Sequence, residues 1–415
     1  MKHIDDKGRI AVQPWMVEPA TQAVLGALAA GGAEARFVGG SVRDALLEGR
    51  IEDDIDIATP APPERVIELL EKKGIKVVPT GLAHGTVTAI AGTPPRHFEI
   101  TTLRRDVETY GRRARVTFDA DWAGDAARRD FTMNAIFLDP DGTVHDPVGG
   151  LADLHARRVR FVGDPTARIG EDVLRLLRYY RFEARFGAGG GDPRARAACR
   201  ATAYLLPGLS PERIAQELVK LLEAPDPVPA LQMMQEDGVL AVILPQAGRL
   251  DRLRRMIAIE PGTDPLRRLA ALIDVDGAGA AAVAERLHFS NAWRNRLGGL
   301  GAPWSIDPRQ DTRAQRRTLY RLGAERYRDI ALLIAAEEGM SDDRLAQLLA
   351  LARDWTPPVF PLTGHDVTVL GIPPGPRVGR LLKAVQDWWA AGDFRADRAA
   401  CLAQLEKLSA TPASA

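Results

Sequence analysis

The sequence predicts an α+β protein: a mixed α/β head to about residue 165, then an all-helical remainder. Three observations predict it. His84–Ile90 and His97–Leu103 alternate apolar and polar residues across a Gly92–Pro95 turn, as antiparallel strands do. Helical and strand-like runs mix in the first part without a regular βαβ rhythm, which argues against a doubly wound fold. Beyond about residue 165 every periodic apolar run has helical spacing.

The elements follow in order. Met16–Ala30 reads as a helix ended by Gly31-Gly32, Ala35–Val38 as a strand and Ser41–Leu47 as a short helix. Asp54–Ala58 is a second strand, Glu64–Lys73 a helix behind a proline turn, and Ile75–Val78 a short β-branched strand. Thr143–Asp146 and Arg158–Val162 read as strands closing the head. Glu171–Phe186 is one strong helix. Helices then recur at Arg194–Leu206, Pro211–Glu223, Pro229–Gly238 and onward to Gly379–Ala391. A proline-rich linker lies at Pro357–Pro361.

Bulk properties narrow the function classes. A chain of 415 residues exceeds one ordinary core, so two to four domains are expected. With 46% hydrophobic and 27% charged residues the disordered class is excluded. Lysine plus arginine (55) balance aspartate plus glutamate (55), so any nucleic-acid contact must rest on a local basic surface. Cys199 and Cys401 match no metal spacing, which fits a reducing cytosol. The opening MKHIDDKGRI lacks the apolar core of a signal peptide, and no run of about eighteen apolar residues suggests a membrane span. The expectation is a soluble, cytoplasmic protein of several domains.

The chemistry concentrates in Phe37–Thr59. A short strand runs into Gly39-Gly40, where backbone N–H groups can approach a phosphate at a helix start. Arg43 adds a planar fork for phosphate oxygens. Asp54 and Asp56, two residues apart on a strand, share a face. Carboxylates so placed suit a pair of divalent ions about 3.5–4 Å apart. Either feature alone reads equally as a plain turn or a solvated strand; their combination is the signal.

Further candidates follow along the chain. Glu99, on an alternating strand, could supply a third carboxylate or sit at a solvated edge. Arg128-Arg129-Asp130 abuts an apolar run, and an arginine there suits triphosphate charge. Residues 106–116 read as a mobile loop able to close over substrate. Asp172, Arg175, Arg178 and Arg181 are spaced to share one helix face, offering acceptor and donor groups to a base edge, or else forming a salt-bridge ladder. Ser210–Glu217 reads as a Ser-capped structural helix.

GGSVRDALL…DDIDIAT, RRDFTMNA, DPVGGLADL, EDVLRLLRYYRF and LSPERIAQEL occur in the order and spacing of the bacterial tRNA nucleotidyltransferase/poly(A) polymerase family, which the chain resembles. The match is dense from residue 35 to about 223. PLTGHDVTVLGIPPGPRVGRLLKAVQDWW is similar, more loosely, to the family's C-terminal segment. The resemblance implies a nucleotidyltransferase head (1–165), a helical neck with the base template (166–224), a helical body (225–356) and an RNA-binding tail (357–415).

By motif match, Asp54 and Asp56 would hold Mg²⁺, with Glu99 a weaker third carboxylate. Gly39, Gly40, Arg43 and Arg129 would hold the nucleotide. Asp172 and Arg175 would read C or A, with Arg178 and Arg181 beside them. The implied activity is addition of C, C and A to a tRNA 3′ end from CTP and ATP. The implied partner is tRNA at its 3′ end and acceptor stem, with no DNA and no membrane. RNA along the body is expected at Arg249, Arg252, Arg254 and Arg255, which read equally as a solvated face.

The competing readings are a poly(A) polymerase, a C-only or A-only enzyme, and a non-catalytic RNA-binding protein on the same scaffold. A phosphohydrolase is disfavoured, because His365-Asp366 lacks further histidines.

Overall fold

The computed structural model describes residues 2–47, 54–82, 85–110, 113–118 and 120–410. It divides into two compact units, Met1–Pro245 and Gln246–Ala415.

The first unit opens with helices α1 (Pro14–Val17) and α2 (Pro19–Ala30). The single helix expected over Met16–Ala30 is broken at Glu18, whose extended backbone is the conformation that a following proline imposes. Strand β1 (Arg36–Val38) and helix α3 (Gly40–Leu46) come next. Then follow β2 (Asp54–Thr59), α4 (Pro63–Glu71), β3 (Lys76–Gly81), β4 (Thr86–Ala91) and β5 (Arg96–Thr102). Strands β6 (Arg104–Tyr110) and β7 (Arg113–Phe118) precede α5 (Trp122–Ala127), β8 (Phe137–Leu138), β9 (Val144–His145) and α6 (Gly150–His155).

Seven strands form one mixed sheet in the order β3-β4-β5-β2-β1-β8-β9. Only β2 and β5 run parallel; every other neighbouring pair is antiparallel. Ile55 and Ile57 of β2, with Phe98 and Ile100 of β5, are wholly buried on one face. On the other face Ala58 is sealed by Val38, Leu103, Ala126, Ala135, Phe137 and Val162. That apolar plug closes one end of the face and leaves the Asp54–Asp56 end of β2 uncapped by it.

Two expectations change here. The run 106–116 is not a loop among its described residues: β6 and β7 pair as a two-stranded antiparallel hairpin, with Gly111 and Arg112 outside the described residues. The run is mostly polar in sequence, which concealed its strand character. Arg158–Val162 is not a strand; only Phe161 bridges Phe131. Backbone bonds from the Thr132 N–H to the Arg160 carbonyl and from the Val162 N–H to the Asp130 carbonyl flank that bridge, both 3.0 Å, and Arg158 and Arg160 pair with the buried Asp153.

The rest of the first unit is helical: α7 (Pro165–Glu171), α8 (Leu174–Phe186), α9 (Pro193–Thr202), α10 (Pro211–Leu222), α11 (Val228–Glu236) and α12 (Val239–Ile243). The helix expected over Glu171–Phe186 begins at Leu174, and Glu171 is the last residue of α7. Asp172 takes an extended conformation (φ −149°, ψ 108°), and its carboxylate accepts the Leu174 N–H at 3.1 Å. An aspartate that caps a new helix competes with continuation of the old one.

The second unit is built from α13 (Leu250–Ile259), α14 (Pro265–Leu272), α15 (Gly277–Arg286), α16 (Asn291–Leu300) and α17 (Thr312–Leu322). It continues through α18 (Ala324–Glu338), α19 (Asp342–Asp354), α20 (Gly364–Val369), α21 (Pro376–Ala391) and α22 (Arg398–Ala410). α18 is buried along most of its length, and its Asp329 takes Arg267 (3.1 Å) and Arg296 (2.6 Å). A second core gathers Leu362, Val367, Ile372, Val385, Trp389, Cys401 and Leu405. No helix among the described residues is long and apolar enough to cross a membrane.

The arginines expected along an RNA path in this unit are mostly structural. Arg252 is buried and donates to the Ala270 and Ala271 carbonyls at 3.2 and 2.7 Å, satisfying the end of α14. Arg249 pairs with Glu337, and Arg255 donates to the Ala336 carbonyl. Arg254 is exposed and pairs with Asp251. Asp366 closes a capping box with Thr363 and accepts Arg398, so His365-Asp366 belongs to a helix start.

Candidate nucleotidyl-transfer site

The carboxylate face is set by backbone pairing. In the parallel β2–β5 ladder Asp54 lies opposite His97 and Asp56 opposite Glu99. Paired residues point to the same side, so Asp54, Asp56 and Glu99 share one face. Asp56 is half-buried and Glu99 exposed. The side chain of Asp54 lies outside the described residues.

The diglycine turn is built around Asp56. Gly39 has φ +73°, and a Cβ placed there would sit 2.7 Å from the Asp56 Oδ2. A side chain is thus excluded both by the left-handed backbone and by the carboxylate. α3 starts at Gly40 and presents its first N–H groups on the same turn.

Arg43 does not offer a free fork. It is buried: Nε and Nη2 donate to Asp44 at 2.8 and 3.0 Å, and Nη1 donates to Asn134 Oδ1 at 2.8 Å. Its guanidinium lies over the Phe186 ring, 4.1 Å from the centroid. It braces the turn from beneath.

The Arg128–Asn134 block connects this turn to α8. Arg128 and Arg129 both pair with the buried Asp125, at 2.5 and 2.9 Å. Burial alone would raise the Asp125 carboxyl, but the two guanidiniums outweigh it and hold it below the usual range. Burial pulls Arg128 down to about 10. Asp130 accepts Arg178 Nε and Nη2 at 2.9 and 2.5 Å and Asn134 Nδ2 at 3.1 Å. Against the upward push of burial, Arg178 brings the Asp130 carboxyl down to about 2.

The expected base-reading residues are distributed over the α7–α8 break and the face of α8. Asp172 is the residue of the break; Arg213 of α10 donates to its two oxygens at 3.0 and 2.9 Å. Arg175, one turn on, pairs with Glu171 and donates to the Arg128 carbonyl at 3.3 Å. Arg181 is drawn to the buried Glu217 at 2.6 Å. All four hold ion-pair partners, and Arg175 also reaches the Arg128 carbonyl.

Sequence reasoning missed three partners. Arg213 sat in a block read as mostly structural, although an arginine on a neighbouring helix is what a half-buried aspartate requires. Asn134 bonds Arg43, ninety-one residues away, and Asp130; Asp125 pairs with Arg128 and Arg129 at i+3 and i+4, a spacing that could have been read.

The comparisons follow this geometry. Residues 35–160 match the family model described as "Poly A polymerase head domain", and 192–249 match "Probable RNA and SrmB- binding site of polymerase A". The chain is 35% identical over 396 residues to "CCA tRNA nucleotidyltransferase 1, mitochondrial" of Danio rerio, covering 90% of this chain and 87% of that protein. It is 33% identical over 368 residues to the CCA-adding enzyme of Geobacillus stearothermophilus, covering 85% and 88%. The solved Bacillus stearothermophilus CCA-adding enzyme in complex with CTP superposes with a TM-score of 0.79 at 30% identity, covering 95% of this chain and 98% of that one.

Proposed function

Because the chain belongs to the tRNA nucleotidyltransferase/poly(A) polymerase family, we propose that this nucleotidyltransferase adds C, C and A to the tRNA 3′ end from CTP and ATP, releasing pyrophosphate. The observation that carries the reading is a carboxylate face beside a diglycine turn, bridged by the Arg128–Asn134 block to Asp172 and Arg175. The partner is tRNA, bound through its 3′ end and acceptor stem. The head is assigned to 1–165, the neck to 166–224, the body to 225–356 and the tail to 357–415.

Mg²⁺ fits the donors of the carboxylate face. Asp54, Asp56 and Glu99 offer oxygen alone, from adjacent strands, which suits a hard cation. Among the described residues no group of three such side chains converges fully, and Asp54's side chain is not one of those described. When bound there, Mg²⁺ lowers the pKa of the attacking hydroxyl and neutralises triphosphate charge.

The chain's own residues then divide the work. Asp54 and Asp56 are the metal-holding carboxylates, and Glu99 takes the proton from the RNA 3′-hydroxyl. The Gly39 and Gly40 backbone and Arg129 hold the triphosphate in line for attack at the α-phosphorus, and pyrophosphate leaves. Asp172 accepts a hydrogen bond from the exocyclic amine that C and A share, and Arg175 donates to a ring acceptor. U and G present a carbonyl where that amine stands, so the carboxylate repels them. Arg178 and Arg181 support the base reader from the same helix.

The test offers tRNAs ending at the discriminator base, at C or at CC to the protein with Mg²⁺, with CTP and ATP separately and together. Ordered addition of C, C and A that then stops is the expected result. Long A tails would assign a poly(A) polymerase instead, and no incorporation would assign a binding protein.

A further inference from the structure

We propose that Asn134 is a positioning residue, the central link of a polar relay that holds the diglycine turn in register with the base-reading helix. The proposal rests on the nucleotidyltransferase reading and extends it to a residue that touches no substrate.

The relay is continuous. Asp44 of α3 takes two hydrogen bonds from Arg43, and Arg43 donates onward to Asn134 Oδ1 at 2.8 Å. Asn134 Nδ2 donates to Asp130 Oδ1 at 3.1 Å, and Asp130 Oδ2 takes the forked Arg178 of α8. It runs from the helix that begins at the phosphate turn to the helix that carries Arg175.

Asn134 is the only neutral member, and its orientation is forced. Its carbonyl oxygen must face the Arg43 cation and its amide nitrogen the Asp130 anion. It is 8% exposed, so water cannot readily replace either bond. Neighbouring charge is committed elsewhere: Asp153 of α6 takes Thr132, Arg158 and Arg160. The Phe182 and Phe186 rings of α8 pack on the Arg43 guanidinium, so the same joint carries an aromatic contact. A half-ångström shift here would move the turn against the base reader, and in-line attack tolerates little misplacement.

The chemistry permits a swap. In Asn134→Asp two carboxylates meet where an amide met one. In Asp130→Asn the relay loses its anion, and Arg178 loses its counter-charge. Combined, Asp130→Asn and Asn134→Asp restore one anion and one amide in reversed order. Arg43 then pairs with the new carboxylate, and the new amide bridges to Arg178.

The experiment measures kcat and KM for CTP addition to a tRNA ending at the discriminator base, with thermal melting of every variant. Each single change is expected to lower kcat roughly tenfold or more with KM for tRNA unchanged, and the double variant to recover to within roughly threefold of wild type. Asn134→Ala, which adds no like charge, is expected to lose kcat similarly and serves if Asn134→Asp does not fold. Single variants with wild-type kcat, or a double variant no better than the product of the singles, would overturn the relay. So would a lowered melting temperature with kcat intact. A wild-type protein that adds no nucleotide would instead overturn the underlying activity.

Discussion

The carboxylate face and the proposed base-reading region are built by opposite means. Asp56 and Glu99 are aligned by a ladder of backbone hydrogen bonds between β2 and β5, anchored by Ile55, Ile57, Phe98 and Ile100 on the far face. Asp172 and Arg175 stand at a helix break and are aimed by side-chain pairs with Arg213 and Glu171. Substitution should therefore act locally on the sheet, removing chemistry without moving neighbours. On the helix it should release neighbours and blur selection before it removes chemistry.

The sharpest way to break the sheet side of this contrast is Asp56→Ala. Loss of a carboxylate proposed to hold the metal removes several kcal/mol of charge stabilisation, so incorporation of either nucleotide should fall by about a thousandfold or more. Binding of tRNA, read by filter retention, should persist, because the ladder does not depend on the carboxylate. Loss of binding in step with activity would show that Asp56 holds the fold. Glu99→Gln, which preserves shape, should cost roughly a hundredfold if Glu99 takes the proton, read as kcat at saturating tRNA.

The same contrast explains what the sequence could reveal. The Asp54–Asp56 face and Glu99 were legible because strand periodicity is local and needs no partner to be inferred. The helical second half was legible for the same reason. The α7–α8 break was not, since the extended Asp172 makes it by drawing the Leu174 N–H to its carboxylate. Nor could spacing show that Arg43, Arg178 and Arg181 are spent on Asn134, Asp130 and Glu217, each more than thirty residues away. Arg252 looked like a phosphate contact and proved to satisfy the carbonyl end of α14. Charge is visible in a sequence; what neutralises it is a tertiary fact.

α8 also carries a carboxylate of the opposite kind. Glu183 is 5% exposed, and burial pushes its carboxyl up to about 7, against the pull of hydrogen bonds from Tyr179 and the Val159 backbone. Its folded state binds a proton that the unfolded chain releases nearer pH 4.5. The stability it confers is therefore full below about pH 4.5 and is lost as pH rises through about 7, a slope totalling roughly 3 kcal/mol. Glu183→Gln should flatten that slope and raise the melting temperature at pH 8. Asp130, whose carboxyl is lowered to about 2, gives the reverse dependence, present above its unfolded pKa and lost only as pH falls through about 2. An unchanged pH profile in Glu183→Gln would mean that the carboxyl is ionised in the folded protein.

The subtlest effect should come from Arg213→Ala. The guanidinium fixes the Asp172 carboxylate through two hydrogen bonds without any need to touch the nucleotide. A carboxylate accepts from the amino group of C or A and meets a carbonyl in U or G, so its aim sets the preference. Removing the charge-assisted pair, worth about 1.5 kcal/mol, should lower the preference for CTP over UTP roughly tenfold. The rate of CMP addition should fall less. Competition between CTP and UTP on one tRNA reads the ratio directly. Equal loss for both nucleotides would place Arg213 with the fold, and would make the helix side of the site as indifferent to its side-chain partners as the sheet.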